Sequence, residues 1–269
     1  MRIARYRVTL LLTVALLACV GSVGYWVRSR ISAVSGDLLS EHFLQPVYFE
    51  PPRVFVSTPE FQLRSRFEKN QRDIAAVSDL AFLTAQKGQW QDAQMFYQEW
   101  LRIRPTDINA IVGRVFALVN LNKPREAIEF LRKTRAALKA HEDVAFTWHV
   151  EGDIWWFLAM SADEGSRKIY LESAEKCQKR ALEIVPNSSR FLLGMVRVAL
   201  AKNDLHMASI LVERVYTVGC ETNREQALAS YYRGTILERT GELKKAQSYY
   251  LAAISADPES FVDIRKVKK

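Results

Sequence analysis

The pattern of apolar and polar positions divides the chain into three parts. Val8 to Val27 is a run of twenty uncharged, mostly apolar residues. As a helix rising ~1.5 Å per residue it would cross a ~30 Å hydrocarbon core. Residues 28–73 follow without such a pattern and read as a linker. Within it Ser32–Leu44 suits a short helix. Pro46–Pro59 is expected to be extended, because its four prolines fix φ and remove backbone donors. Thr58, Pro59 and Glu60 then predict the N-cap, first residue and first-turn acid of a helix. From Ile74 to Ser260 apolar and small residues recur in a repeating frame. This stretch is poor in breakers and rich in Ala, Leu, Glu, Arg and Lys, which predicts paired helices.

The frame divides into five units, 74–107, 108–141, 145–188, 189–222 and 227–260, with short spacers before the third and fifth. Where two antiparallel helices cross most closely the second needs a small side chain, and every unit places alanine there: Ala93, Ala127, Ala174, Ala208 and Ala246. The turn between the helices needs a residue tolerant of positive φ, and four units supply Gly88, Asn122, Asn203 and Gly241. The third unit lacks one and carries about ten extra residues around Ser161–Tyr170, where Gly165 would serve a longer loop. Pro105, Pro186 and Pro258 close three units. The second unit departs most, with Arg114 at a usually apolar site and Lys139 for the exit proline. Ala81 and Val115 replace the small first-helix residue seen as Gly152 and Gly234, so looser packing is expected there.

The segment AFLTAQKGQWQDAQMFYQEWLRIRPTD, with Gly88, Trp90, Ala93, Tyr97 and Pro105, resembles the tetratricopeptide repeat, whose unit is ~34 residues of paired helices. The last unit repeats the skeleton with Gly241, Leu243, Ala246, Tyr250, Ala253 and Pro258. The resemblance implies an all-α fold, a right-handed α-solenoid of about five helix pairs over 74–260. An N-terminal transmembrane helix (1–27) and a partly extended linker would precede it. Each pair buries its apolar face only on its neighbours, so the ends need caps. Phe261, Ile264 and Val267, at helical spacing, predict a helical cap in the basic tail 261–269.

The net charge of +8 changes the picture little once it is located. Arg2, Arg5 and Arg7 carry three of the excess charges, and Arg265, Lys266, Lys268 and Lys269 carry four, which leaves 28–264 almost balanced. A phosphate-binding footprint belongs on the folded body, so nucleic acid is not an expected partner. The arginines before Val8 place the N-terminus in the cytoplasm and the repeats on the far, periplasmic or extracytoplasmic side. Leu16-Leu17-Ala18-Cys19 also resembles a lipobox, which would lipidate Cys19, and Val8–Ala18 would serve as the h-region of a cleaved signal. Apolarity continuing through Val20, Val23 and Trp26 favours the uncleaved anchor. Cys177 and Cys220 have no CxxC spacing and read as ordinary helical thiols.

In the architecture implied by the resemblance, first helices of successive units line a groove. Position in the frame assigns Phe82, Asn109, Phe116, His149, Asp153, Trp156, Arg190, Arg197, Tyr231 and Tyr232 to it, rich in the types that dominate interface energies. Arg190 and Arg197, two turns apart, would pair with acidic groups of a peptide, whereas Trp148 and Trp155 fall on core positions. Some relatives clamp an acidic chaperone C-terminus with Lys, Asn and Arg; here Ser78, Phe82, Gly113, Phe146 and Val150 occupy those sites, so that ligand is not expected. His42, His141, His149 and His206 lack metal-ligand spacing, and no GxGxxG, P-loop or GxSxG is present. No catalytic residue, metal or cofactor is assigned. The expected function is a membrane-tethered scaffold that binds a protein or peptide, with a self-assembling structural component as the alternative.

Overall fold

The computed structural model describes residues 44–46 and 54–263. The expected span at 8–27 and the tail 264–269 lie outside the described residues. So does the short helix expected over Ser32–Leu44, apart from Leu44, which begins a strand. No helix among the described residues is long and apolar enough to cross a membrane. Eleven α-helices account for nearly all the described chain: α1 (Glu60–Lys69), α2 (Ile74–Gln86), α3 (Trp90–Ile103), α4 (Ile108–Asn120), α5 (Pro124–Arg135), α6 (His141–Met160), α7 (Glu164–Ile184), α8 (Ser189–Ala201), α9 (Leu205–Val218), α10 (Asn223–Arg239) and α11 (Leu243–Ala256). They form two compact units, one within Val47–Glu221 and one that joins the helices after Thr222 to a short ladder.

The first unit contains α1 to α9. Even-numbered helices are the first members of each pair and odd-numbered ones the second, and each packs on the next. The crossing alanines decide how closely they pack: Ala93, Ala127, Ala174 and Ala208 are all completely buried. A larger side chain there would hold the two axes apart. The turns behave as their residues dictate. Gly88, Asn122 and Asn203 have φ of 71°, 61° and 59°. The residue after each donates its N–H to the carbonyl five back, Gln89 to Thr84, Lys123 to Leu118 and Asp204 to Ala199, at 2.9 Å each. These left-handed C-caps satisfy carbonyls that a helix end leaves open. Asp73, Asp107, Asp163, Ser188 and Asp204 cap the N-termini of α2, α4, α7, α8 and α9 with their side chains, each worth about 1 kcal/mol.

Three expectations are corrected. The extra residues of the third unit build helix, not loop: α6 and α7 run 20 and 21 residues, and Gly165 lies in the first turn of α7. Residues 142–144, expected as a spacer, likewise extend α6. Looser packing at Ala81 and Val115 is not seen, since both are fully buried. The misfit sits one residue away, where the half-buried guanidinium of Arg114 rests 4.4 Å from the Phe130 ring and its Nε has no hydrogen-bond partner among the described residues.

At the start of this unit α1 is a single capping helix whose N-cap is Pro59, without a side-chain bond, not Thr58. It buries Leu63, sets Phe67 edge-on to Phe96 at 5.5 Å and turns polar residues outward.

In the second unit α10 and α11 pack around Ala246, 2% exposed, with Gly241 (φ 87°) in the turn. Residues 223–226, expected as a spacer, form the first turn of α10. The expected helical cap after Ser260 is also corrected. Asp257 leaves the helical region (φ −151°), Pro258–Ser260 makes one 3₁₀ turn, and β2 (Phe261–Asp263) is extended. It pairs antiparallel with β1 (Leu44–Pro46), Gln45 opposite Val262. Phe and Val favour a pleated, half-buried setting once proline has ended the helix. Phe261 is buried, its ring 5.5 Å from Tyr231.

Candidate partner-binding face

The residue four after each crossing alanine points into the stack: Tyr97, Leu131, Gln178, Val212 and Tyr250, all buried. Four are apolar or aromatic. The third unit alone places an amide there, and a polar network forms around it. Gln178 fits because glycines flank it on both sides. A Cβ at Gly152 of α6 or Gly194 of α8 would come within 2.7 Å of its side chain.

A buried amide must be hydrogen-bonded or it costs stability. Gln178 Nε2 donates to the His149 carbonyl at 3.2 Å and to Asp153 Oδ1 at 2.9 Å. Its Oε1 therefore faces His149 Nδ1, 2.9 Å away, as the acceptor, so the ring carries its proton on Nδ1. His149 Nε2 then looks at Asp153 Oδ2 from 3.5 Å. From α8, Arg197 pairs with Asp153 Oδ1 and lays its guanidinium 4.6 Å from the Trp156 ring. Arg190, one face along, sits 5.3 Å from Phe146. The imidazole stacks on Phe146 at 6.0 Å and meets a tilted Phe191 ring at 5.1 Å. Burial pulls the His149 pKa below its ordinary value, with Asp153 and the Gln178 bond opposing and Arg197 and Arg190 adding to the drop.

Phe146, His149, Asp153 and Trp156 of α6 thus meet Arg190 and Arg197 of α8 on one face. Arg190 is exposed, Trp156 half-buried, and Phe157 beside it 40% exposed. Such a face offers an aromatic surface, a guanidinium over it and a half-buried carboxylate that pairs with that guanidinium. On the opposite side of α6, Glu151 is completely buried, taking Arg135 at 2.7 Å and Arg132 at 2.8 Å from α5. That cluster is a brace between pairs. Trp148 and Trp155 pack beside it, half-buried against the core clusters as expected: Arg135 lies 3.6 Å over Trp148, and Trp155 meets Tyr170.

The other frame-assigned residues are dispersed. Phe82 packs edge-on to Trp100 at 5.5 Å, Asn109 is exposed in the first turn of α4, and Phe116 joins the core of the second pair. Tyr231 and Tyr232 lie in the second unit, 4% and 3% exposed, against each other, with Tyr231 also meeting Tyr250 and Phe261. The picture of an open line of side chains is therefore corrected for His149, Arg197, Tyr231 and Tyr232, which the fold itself packs away. Gln178 was missed by position-in-frame reasoning, which considered first helices only. Its signal was a polar residue at a repeat-frame position otherwise held by Tyr97, Leu131, Val212 and Tyr250.

Residues 227–260 match the family model of the tetratricopeptide repeat. These are the bounds that the repeat frame assigns to the fifth unit. Solved structures extend the likeness beyond it. TTC0263, a thermophilic tetratricopeptide-repeat protein of Thermus thermophilus, is 18% identical over 72% of this chain and 96% of its own, with a TM-score of 0.58. PilW, described as a widely conserved type IV pilus biogenesis factor, is 16% identical over 78% of this chain and 89% of its own, at 0.55. The hetero-tetramer of Cut9 and Hcn1 from the APC/C matches at 11% identity over 74% of this chain and 36% of that one, at 0.58. At these identities the likeness is one of fold. No curated protein matches. The chain thus has the helical, tetratricopeptide-like architecture that its repeat suggested. Among the described residues no group of three or more His, Cys, Asp or Glu is placed to hold a metal ion.

Proposed function

We propose that this protein is a membrane-tethered scaffold. Residues 8–27 hold it, and a protein or peptide partner docks on the face shared by α6 and α8. The observation that carries the reading is the convergence of Arg190, Trp156 and Phe146 on one face, backed by the buried Arg197 and the Gln178–His149–Asp153 network. A helical pair needs no polar network at that frame position, as the apolar Leu131 and Val212 demonstrate. Arginine and aromatic side chains in a preorganised setting are the usual anchors of binding energy. PilW, of similar fold, is described as a biogenesis factor, which suggests assembly or maturation of a membrane-associated complex as the setting. The N-terminus is read as cytoplasmic, with the repeats across the membrane, or else lipid-anchored through Cys19.

The test is in-cell crosslinking from a photoreactive residue at Phe157, with the full-length protein and with the Arg190→Ala/Trp156→Ala double variant. A specific crosslinked species lost in the variant supports the reading, and an identical pattern in both ends it. A second reading, a self-assembling component that docks its own linker, is favoured by the pairing of Leu44–Pro46 with Phe261–Asp263. It requires a concentration-dependent oligomer that disappears when residues 45–58 are deleted.

A further inference from the structure

Asp153 stands between a cation and a ring able to become one. Its Oδ1 is taken by Arg197 and Gln178, while its Oδ2 stands 3.5 Å from His149 Nε2. Because Gln178 fixes the His149 proton on Nδ1, the neutral ring turns a lone pair toward that carboxylate, and two acceptors face each other. A second proton converts this contact into a charge-assisted hydrogen bond that only a small closure is needed to complete. The charged groups facing the ring are Asp153 from α6 and Arg190 and Arg197 from α8; α7 contributes the neutral Gln178.

We propose that protonation of His149 moves the Asp153 carboxylate from Arg197 to the imidazolium, making the α6–α8 face one charge more positive and selecting an acidic, carboxylate-bearing segment as its partner. The inference rests on the reading of that face as the binding site. Arg197 lies on the Trp156 ring, so a change in its pairing is reported by the indole. No other described histidine is set in such a network: His141 and His206 are exposed on the surfaces of α6 and α9. The pull of burial on the ring places the transition below the ordinary histidine range, and the flanking Phe146 and Phe191 rings hold it in place through the change.

The experiment uses the full-length protein labelled at histidine and tryptophan, with the Trp156 indole N–H assigned through Trp156→Phe. The expected result is that His149 and the Trp156 indole titrate with one shared midpoint below about 6.5. In His149→Phe, which keeps an aromatic ring in the stack, the indole is flat over the same range. In Asp153→Asn the His149 midpoint falls further, and circular dichroism verifies that each variant is folded. An indole that stays constant while His149 titrates overturns the proposal. So does an indole that still titrates in His149→Phe, or a His149 that takes up no proton before the chain unfolds. A hexaglutamate peptide then probes the partner chemistry, with binding expected about fivefold tighter one unit below the midpoint than one unit above. Equal binding on both sides overturns the acidic-partner assignment. The titration needs no partner, so its failure is distinct from a failure to capture one in cells.

Discussion

Two columns in the same helical stack use one backbone geometry for opposite ends. Between α3 and α4, Tyr97 inserts beside Gly113, and a Cβ there would come within 2.2 Å of the ring. Between α7 and α8, Gln178 inserts beside Gly194 in the same register. The Tyr97 ring stacks on Trp100 and meets Phe82 at 6.3 Å each, and its hydroxyl is buried without a hydrogen-bond partner among the described residues. Its phenol is pushed to a higher pKa by burial alone. The first column is cohesive and chemically silent. The second exchanges that apolar contact for a network whose members must all be satisfied. A slot shaped by glycine is thus neutral about function, and the residue that fills it decides whether a pair is a brace or a site.

The comparison can be broken at the glycines. Gly113→Ala forces the Tyr97 ring aside within a packed aromatic cluster and is expected to cost about 3 kcal/mol in urea unfolding. Gly194→Ala meets the end of a flexible amide and should cost less, while abolishing the shared titration of His149 and Trp156. Equal costs would mean the two columns are not equivalent in packing. Replacing Gln178 with Leu, the residue of the second unit at that position, leaves His149 and Asp153 short of partners. A loss of about 1–2 kcal/mol is expected, with weakened partner capture.

The pH dependence sharpens the contrast further. The folded-state pKa of His149 lies below its ordinary ~6.5. In the window between the two values the unfolded chain therefore binds more protons than the folded one. Stability from this group is complete above about pH 6.5 and is lost as pH falls toward the folded value. Thermal unfolding from pH 7.5 to 5 should reveal that loss in the native protein and not in His149→Phe. The smallest effects belong to the silent column and its neighbour. Tyr97→Phe removes an unpaired hydroxyl and should be neutral or stabilising by up to about 1 kcal/mol. Arg114→Met relieves a half-buried cation with no carboxylate partner among the described residues and should raise the urea midpoint by a similar or smaller margin. Destabilisation by either would assign those groups partners that the packing does not suggest.

Much of the scaffold was legible because its requirements are local. The crossing alanines are buried where the frame placed them, and Gly88, Asn122, Asn203 and Gly241 all have positive φ, since a steric contact or a φ value is written into one residue. The lengthened α6 and α7 were less legible. Extra residues between two helices can extend either helix or form a loop, and here continued packing of the two helices, Tyr170 on Trp155 among it, accompanies their extension. Phe261–Asp263 departed from expectation for a related reason, because the spacing of Phe261 with Ile264 and Val267 suits a helix, but Pro258 ends α11's course and Phe261–Asp263 pairs with Leu44–Pro46.

The site divides in the same way. Frame position alone placed His149, Asp153, Trp156, Arg190 and Arg197 on first helices, and there they are. That His149 and Arg197 are buried, that Arg197 commits its charge to Asp153, and that Gln178 joins them depends on contacts across 25 to 44 residues of chain. By itself the sequence determined the repeat, its turns and its small-residue contacts, because each follows from the volume or backbone preference of a single side chain. Which polar groups would meet, and which would be withdrawn from solvent, was decided only by the stacking of α6, α7 and α8. Burial and charge pairing are properties of the space between helices, set by neighbours remote in sequence.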